Sequence, residues 1–316
     1  MHPADLGVVS TIALFLTGLI LLILSGRGAV AHLDILSRQF QLGRFQAAFV
    51  IMAISTSLPE LFVGISSAIA GVPALSAGTV LGSNIADITI IFGIVVLLAG
   101  RLLIRTTFLR DASFRFAAIA LLPFLLLLDG VLSRFDGILL LMVFTASLWH
   151  MLKHHPAKLS PLGRSSKRNF PLMYFLLSVA GLLIAAHLIV TSSVSLATVL
   201  GVSPFLIGLL AVALGTSLPE LAFETAAVRK GKGDFALGDA AGSVVCNATL
   251  VLGITALLRP LRITLDALFV PITITILALF LLLIPLKFRQ QYTRPIGIGM
   301  LVLYAVFLIA QLEHIG

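Results

Sequence analysis

The sequence predicts an all-α integral membrane protein with ten transmembrane helices, arranged as two inverted five-helix repeats with both termini outside. The first observation is composition. Of 316 residues, 59% are hydrophobic and only 11% are charged, and apolar runs reach the ~20 residues that cross a bilayer as a helix. The second observation is a duplication, because the hexapeptide Thr-Ser-Leu-Pro-Glu-Leu at residues 56–61 recurs at residues 216–221. The third is the distribution of Lys and Arg, which predicts the orientation.

Ten apolar segments account for the chain in order. The first follows an N-terminus that lacks the basic start of a signal peptide, so it is interpreted as a retained span. Spans two and three carry the first copy of the motif, and spans seven and eight carry the second. Spans four and five are rich in Leu and Phe and are expected to pack as scaffold. The predicted spans are about 8–24, 45–70, 74–98, 114–128, 135–151, 170–197, 204–228, 235–257, 268–286 and 296–312.

A basic polar segment joins the two halves. Residues 1–151 form the predicted first repeat, residues 152–169 a cytoplasmic linker, and residues 170–316 the second repeat. With the N-terminus outside, the cytoplasmic loops hold 18 of the 21 Lys and Arg residues, which agrees with the positive-inside rule. Because five spans separate equivalent points, the repeats run in opposite directions across the membrane. Such inverted repeats are typical of secondary transporters.

Each copy of the motif places a glutamate, Glu60 or Glu220, inside apolar sequence. A charge there is costly and by default indicates function. No Lys or Arg lies between residues 45 and 100, so the sequence offers Glu60 no nearby partner for a structural ion pair.

The residues around each glutamate offer oxygen atoms. A proline inside a helix has no N–H to donate, so Pro59 and Pro219 free the carbonyls of Ser55 and Gly215. Hydroxyl, amide and carboxylate groups share helical faces at a spacing of four residues. Oxygen ligands suit hard cations such as Ca²⁺, whereas zinc or copper would call for His and Cys. These side chains are Thr56 with Glu60, Thr216 with Glu220, Ser83 with Asp87, and Ser243 with Asn247.

Three carboxylates, Glu60, Asp87 and Glu220, are therefore expected at the membrane midplane without a basic partner in these helices. One divalent cation or several monovalent cations, together with protons, can offset their charge. Different cations can occupy the same site in turn, which is what antiport requires.

The motif blocks, followed by Gly-Ser-Asn-Ile at residues 82–85 and Gly-Ser-Val-Val at residues 242–245, resemble the two alpha repeats of the cation/calcium antiporter superfamily, the sodium/calcium exchangers, and most closely its compact prokaryotic members. The resemblance implies a sodium/calcium exchanger-like fold and exchange of Ca²⁺ for Na⁺ across the cell (inner) membrane, with no cofactor besides the transported ions. It also implies roles for motif residues. Glu60 and Glu220 would be the central Ca²⁺ ligands, Thr56 and Thr216 would add oxygens, and Ser57, Ser217, Ser83 and Ser243 would help to form flanking Na⁺ sites.

The chain departs from the compact exchangers at three places. Asp87 and Asn247 are exchanged between the repeats, Ser55 replaces a usual Gly, and Val244 replaces a usual Asn. Because the repeats are pseudo-symmetric, the exchange of Asp and Asn conserves the charge count of the site. It bears instead on the identity of the coupling ion.

Two other functions stay open at this point. One is a proton-coupled Ca²⁺ or cation antiporter of the same fold, in which Asp87 or a glutamate cycles protons. The other is a passive cation channel, which two inverted sites in one chain disfavour. An enzyme is not expected, since the common intramembrane or hydrolase motifs are missing from the sequence. The predicted partners are the ions and the lipid bilayer, without nucleic acid, and the transport unit is expected to be a monomer.

Two acidic residues of the second repeat have no acidic counterpart in the first. Glu224 and Asp239 stand where the first repeat has Gly64 and Thr79. They are predicted to form an acidic vestibule near the cytoplasm that gathers cations. The alternative is a set of surface ion pairs with the basic residues at 229–232.

Overall fold

The computed structural model describes residues 8–39, 54–104, 108–154 and 171–313. Over these residues the protein is helical, apart from two short pairs of β-strands. The helices are α1 (Val8–Gln39), α2 (Leu58–Ile69), α3 (Pro73–Ala99), α4 (Phe108–Asp111), α5 (Ser113–Leu126), α6 (Arg134–His154), α7 (Pro171–Leu200), α8 (204–216), α9 (Leu218–Arg229), α10 (Gly233–Leu258), α11 (Leu265–Phe288) and α12 (Arg294–Glu313). The strands are β1 (Arg101–Leu103), β2 (Val131–Leu132), β3 (Leu261–Arg262) and β4 (Gln291–Thr293).

Within the described residues, seven segments are long and apolar enough to cross a membrane, so the chain is a multi-pass membrane protein. Each coincides with a predicted span. The other predicted spans, two, four and five, overlap α2, α5 and α6, and residues 45–53 of span two lie outside the described residues. The count of ten spans and the outer position of both termini stay predictions. The seven segments are Val8–Ala29, Pro73–Ala99, Leu172–Leu200, Pro204–Arg229, Gly233–Leu258, Leu265–Phe288 and Arg294–Glu313.

Equivalent residues of the two halves adopt equivalent backbone structure. Ser57 and Ser217 each form a bend before a helix, with φ and ψ of −80° and 3° at the first and −82° and 3° at the second. Equivalent π-helical turns follow the Gly-Ser pairs of the two halves, Asp87–Ile91 in α3 and Cys246–Val251 in α10. A further π-helical turn, Gly208–Val212, lies in α8, and its counterpart at residues 48–52 is outside the described residues. A local duplication of structure therefore accompanies the duplication of sequence.

The strands join the two halves to each other. β1 pairs with β4, and β2 pairs with β3, both antiparallel. In the numbering of the duplication, β1 is equivalent to β3 and β2 to β4, so the two strand pairs are related by the same pseudo-symmetry. Loops of the first half are thereby tied to loops of the second.

The helices form an outer and an inner group. α1 packs along α7, and both expose most of their apolar side chains, as expected of helices that face lipid. α3 is instead buried along most of its length, and α8 and α10 are mostly buried. The helices that carry the Gly-Ser pairs of the two repeats, α3 and α10, thus lie in the centre of the protein.

Glycines allow α3 and α8 to approach closely. A Cβ atom at Gly78 would overlap the backbone carbonyl of Phe205, and one at Gly82 would overlap that of Leu209. The contact is reciprocal, because a Cβ at Gly208 of α8 would overlap the carbonyl of Leu75. Small residues at such crossings bring backbones together in membrane proteins, and here they place Ser83 against the second half.

Candidate cation-binding site

The two glutamates lie just after the two bends. Proline is tolerated at the second position of α2 and of α9, because an N–H at that position would have no helical partner. Helical hydrogen bonds then resume. The Leu61 N–H donates to the Ser57 carbonyl at 3.0 Å, and the Leu221 N–H donates to the Ser217 carbonyl at 3.2 Å. The side chains of Glu60 and Glu220 are 1% and 0% exposed. Each bend therefore holds a carboxylate inside the protein.

Helix α1 packs over both bends at once. A Cβ atom at Gly26 would lie 3.3 Å from the ring of Pro59 and 3.8 Å from that of Pro219. The two bends thus meet on the same side of α1, so the glutamate of one half lies close to the hydroxyls of the other.

Ser83 links the halves on one side of the site. Its hydroxyl is 3.3 Å from Glu60 Oε1, to which it can donate, and 3.1 Å from the hydroxyl of Thr216. The Thr216 hydroxyl can donate to the Ala213 carbonyl at 3.1 Å. A serine hydroxyl carries one proton and two acceptor positions, so Ser83 keeps an oxygen lone pair available for a cation while it holds Glu60.

The pseudo-symmetric contact lies between Thr56 and Ser243, whose hydroxyl oxygens are 3.0 Å apart. Here the pattern differs from the first side. Thr56 donates to Asp239 Oδ1 at 3.5 Å, and both carboxylate oxygens of Glu220 have no hydrogen-bond partner. The two sides of the site therefore share the contact between a threonine and a serine hydroxyl but differ in the hydrogen bonds to the carboxylates.

Many buried polar atoms around these contacts have no protein partner. A buried carboxylate without a partner is costly unless a cation or a proton neutralises it. Of the buried side chains that the structure describes, five are carboxylates, and most of their oxygens are without hydrogen bonds. The unpartnered atoms are Glu60 Oε2, Asp239 Oδ2, both carboxylate oxygens of Asp87, Glu220 and Glu224, the hydroxyls of Ser57 and Ser217, and both amide atoms of Asn247.

The carboxylates lie near enough to repel one another. Glu220 interacts electrostatically with Glu60, Asp87 and Asp239. In the described residues, no three Asp, Glu, His or Cys side chains converge into a complete metal site of their own. Hydroxyl and carbonyl oxygens would have to complete the coordination of any bound ion, as they do for hard cations.

All twelve residues predicted for the site are buried. The structure brings Glu60, Ser83 and Thr216 into one contact network and Thr56 and Ser243 into another. The side chains of Ser57, Ser217 and Asn247 make no hydrogen bond with any described residue. The remaining predicted residues, all buried, are Ser55, Asp87, Gly215 and Glu220.

The alternative interpretation of Glu224 and Asp239, surface ion pairs with residues 229–232, is wrong, whereas their role in gathering cations stays a prediction. Their side chains are 0% and 2% exposed. Asp239 accepts from Thr56, and neither oxygen of Glu224 has a partner, so the ion pairs with residues 229–232 do not form. The burial of Glu224 agrees with its spacing from Glu220, since residues four apart lie on the same helical face.

Comparisons with known proteins agree with this architecture. The family model described as "Sodium/calcium exchanger protein" matches residues 10–153 and 170–313. The chain is 32% identical to the inner membrane protein YrbG of Escherichia coli over 78% of its length and 80% of that protein. It is 25% identical to the sodium/calcium exchanger MaX1 of Methanosarcina acetivorans over 94% and 97% of the two chains. A solved structure of the sodium-calcium exchanger NCX_Mj soaked with Na⁺ and Sr²⁺ superposes with a TM-score of 0.69 and 27% identity, over 96% of this chain and 99% of that one.

Proposed function

Because the chain belongs to the sodium/calcium exchanger protein family, whose members are transporters and not enzymes, we propose that it is a secondary active antiporter that exchanges Ca²⁺ for Na⁺ across the cell membrane. One observation carries the proposal. Glu60 and Glu220 are buried at equivalent bends, and three of their four carboxylate oxygens have no hydrogen-bond partner among the described residues. Two such carboxylates balance one divalent cation.

The ligand roles follow from the contacts. Glu60 and Glu220 hold Ca²⁺ between the halves, and the hydroxyls of the two cross-repeat contacts adjoin them. When Ca²⁺ leaves, Na⁺ ions occupy positions beside the same carboxylates. The proposed additional ligands are the hydroxyls of Thr56, Thr216, Ser57, Ser217, Ser83 and Ser243, the side chains of Asp87 and Asn247, and the carbonyls of Ser55 and Gly215.

Alternating access fits a site that lies between two repeats. We assign ten spans in two inverted repeats, residues 1–151 and 170–316, with both termini outside. The equivalence of the bends, the π-helical turns and the strand pairs supports this assignment. One group of helices can then move against the other, which exposes the midplane site first to one side of the membrane and afterwards to the opposite side.

Flux measurements test the proposal. The purified protein is reconstituted into liposomes, and uptake of radioactive Ca²⁺ is recorded with an imposed Na⁺ gradient, with an imposed pH gradient, and with neither. Uptake driven by Na⁺ alone is expected. Uptake driven only by the pH gradient would show that protons, and not Na⁺, are the coupling ion. Uptake without any gradient would indicate a channel.

A proton-coupled exchanger is the second candidate, and the number of buried carboxylates favours it. Five carboxylates exceed what one Ca²⁺ neutralises, and protons are the other means of neutralising them. Both candidates use the same Glu60 and Glu220 site, so the gradients above separate them.

Asp87→Asn is expected to flatten the pH dependence of exchange while Ca²⁺ binding persists. Protons compete with cations for a carboxylate, so uptake by the parent protein should rise with pH, whereas an amide cannot bind a proton in this range. Uptake is measured at a series of pH values. Asp136→Asn is the control, because Asp136 caps the start of α6, where it accepts from the Ser133 N–H at 2.8 Å. If the pH dependence of uptake by Asp87→Asn equals that of the parent, Asp87 does not take part in proton coupling.

Ser83→Ala is expected to raise the KM for Ca²⁺ by about tenfold or more, because a hydrogen bond to a charged group contributes about 1.5–3 kcal/mol. Without the hydroxyl, Glu60 loses its contact to α3. Ser76→Ala is a matched control. Ser76 is a buried serine of the same helix, and its hydroxyl lies 3.0 Å from that of Thr255 in the other half, away from the glutamates. Equal effects of the two variants would reduce Ser83 to a packing role.

A further inference from the structure

The second repeat has buried carboxylates at two positions, Glu224 and Asp239, whose counterparts in the first repeat are Gly64 and Thr79. Glu224 lies one helical turn after Glu220 in α9, and Asp239 lies one turn before Ser243 in α10. Glu224 is 0% exposed and Asp239 is 2% exposed. The exchange reaction needs only the glutamates that both repeats share, so this pair calls for its own explanation.

The equivalent place in the first repeat is closed by packing. A Cβ at Gly64, the counterpart of Glu224, would lie 2.7 Å from the Thr255 hydroxyl and 3.0 Å from the Ser76 hydroxyl. Thr79, the counterpart of Asp239, turns its hydroxyl to its own helix and donates to the Leu75 carbonyl at 2.9 Å. Among the described residues, the two equivalent positions of the first repeat are therefore packed and carry no carboxylate.

The second repeat replaces those hydroxyls with apolar groups. The counterparts of Ser76 and Thr255 are Ala236 and Val95, which are buried in one small apolar cluster. They can offer Glu224 no hydrogen bond, and both of its oxygens are without a partner. A buried carboxylate in such surroundings is costly unless a cation or a proton neutralises it.

The charged groups near Glu224 are two other carboxylates, whose oxygens can bind a cation. α9 packs against α10 and against the α3 segment that contains Asp87, and Glu224 interacts electrostatically with Asp239 and Asp87. Asp239 Oδ1 accepts from Thr56 at 3.5 Å, Thr56 is 3.0 Å from the Ser243 hydroxyl, and Asp239 Oδ2 is unpartnered. Asp239 thus adjoins two hydroxyls, and Glu224 lies near enough to Asp239 to repel it. Among the described residues, no Lys or Arg hydrogen-bonds to either carboxylate.

We propose that Glu224 and Asp239, with the hydroxyls of Thr56 and Ser243, form an additional binding site for a divalent cation. It lies one turn along α9 from the Glu60 and Glu220 site, a separation of about 6 Å along the helix axis. Two carboxylates match the charge of one divalent ion, and oxygen donors select the Ca²⁺ class over zinc or copper. Thr56 and Ser243 belong to both sites, so a cation can pass from one set of ligands to the other. The choice of Ca²⁺ rests on the proposed exchange function; the existence of the site does not.

Binding stoichiometry tests the additional site. Equilibrium binding of radioactive Ca²⁺ is measured on the full chain in detergent, without any gradient, for the parent, for Glu224→Gln/Asp239→Asn and for Glu60→Gln/Glu220→Gln. The parent is expected to bind two Ca²⁺ per chain and each double variant one. Asp266→Asn, which changes an exposed carboxylate at the start of α11, should bind two.

A parent that binds one Ca²⁺, or a Glu224→Gln/Asp239→Asn variant that still binds two, would overturn the additional site and leave exchange at Glu60 and Glu220 untouched. Retained transport by Glu60→Gln/Glu220→Gln would instead overturn the proposed function. If the first double variant does not elute as a single folded species, the nearly isosteric Asp239→Asn replaces it. That variant is expected to weaken the second binding step by about tenfold or more, because ligand charge sets Ca²⁺ affinity, and an unchanged second step would overturn the site.

Discussion

Glu60→Gln and Glu220→Gln are each expected to lower Ca²⁺ transport by about 100-fold or more, since removing one partner of a buried charge pair costs about 3–5 kcal/mol. Glutamine keeps the shape of the side chain and one carbonyl oxygen, so the loss reports charge and not packing. The structure gives both residues the same exposure, close to zero, inside equivalent bends. Initial rates of radioactive Ca²⁺ uptake into liposomes under a Na⁺ gradient measure the effect.

The matched control is Glu313→Gln, which makes the same substitution at an exposed glutamate in the last turn of α12. Its uptake should equal that of the parent, and all three variants should elute from a sizing column as the parent does. Uptake at the parent rate by both Glu60→Gln and Glu220→Gln would exclude the central site.

The two glutamates should also differ from each other. Glu60 is held by Ser83, whereas Glu220 has no hydrogen-bond partner. Motif identity could not predict this difference, because the hexapeptides are the same in both repeats. The two threonines beside the glutamates differ as well. Thr56 donates to Asp239, whereas its counterpart Thr216 donates to the Ala213 carbonyl of its own helix.

Local chemistry made the bends predictable. A proline four residues after Ser55 or Gly215 cannot complete the helix, and the structure bends at Ser57 and Ser217. Hydropathy likewise located the seven membrane segments found in the described residues, because burial in lipid depends on the composition of a run. It did not locate the end of α1, which continues to Gln39, since helical hydrogen bonds do not require apolar side chains.

Contacts between the halves could not be read from composition. The strand pairs join residues far apart in the chain, and short strands carry no periodicity that hydropathy detects. The burial of Glu224 likewise depends on tertiary packing, because α9 packs against α10 and against α3. Surface ion pairs with Arg229 were one of two interpretations of the sequence, and this packing excludes them.

Gly82→Val is expected to prevent assembly of the two halves. A Cβ at Gly82 would overlap the Leu209 carbonyl and lie 2.7 Å from the Ala213 side chain. A backbone carbonyl cannot move aside as a flexible side chain can, so α3 and α8 would have to separate, and Ser83 would leave Thr216. Overpacking by single methyl groups costs about 1–3 kcal/mol, and valine adds two further methyl groups to the overlapping Cβ. The measurements are the yield of monodisperse protein in detergent, its thermal melting and Ca²⁺ uptake.

Gly299→Val separates this steric effect from the general cost of valine in a helix. Apart from its own turns of α12, no atom of the described residues lies within 4 Å of the Cβ position of Gly299. The variant should therefore give monodisperse protein with uptake close to that of the parent. Gly82→Ala should fall between the two, with a lower melting temperature and reduced uptake. If Gly82→Val melts and transports as Gly299→Val does, the close crossing of α3 and α8 does not position Ser83, and the cross-repeat network must be held by other contacts.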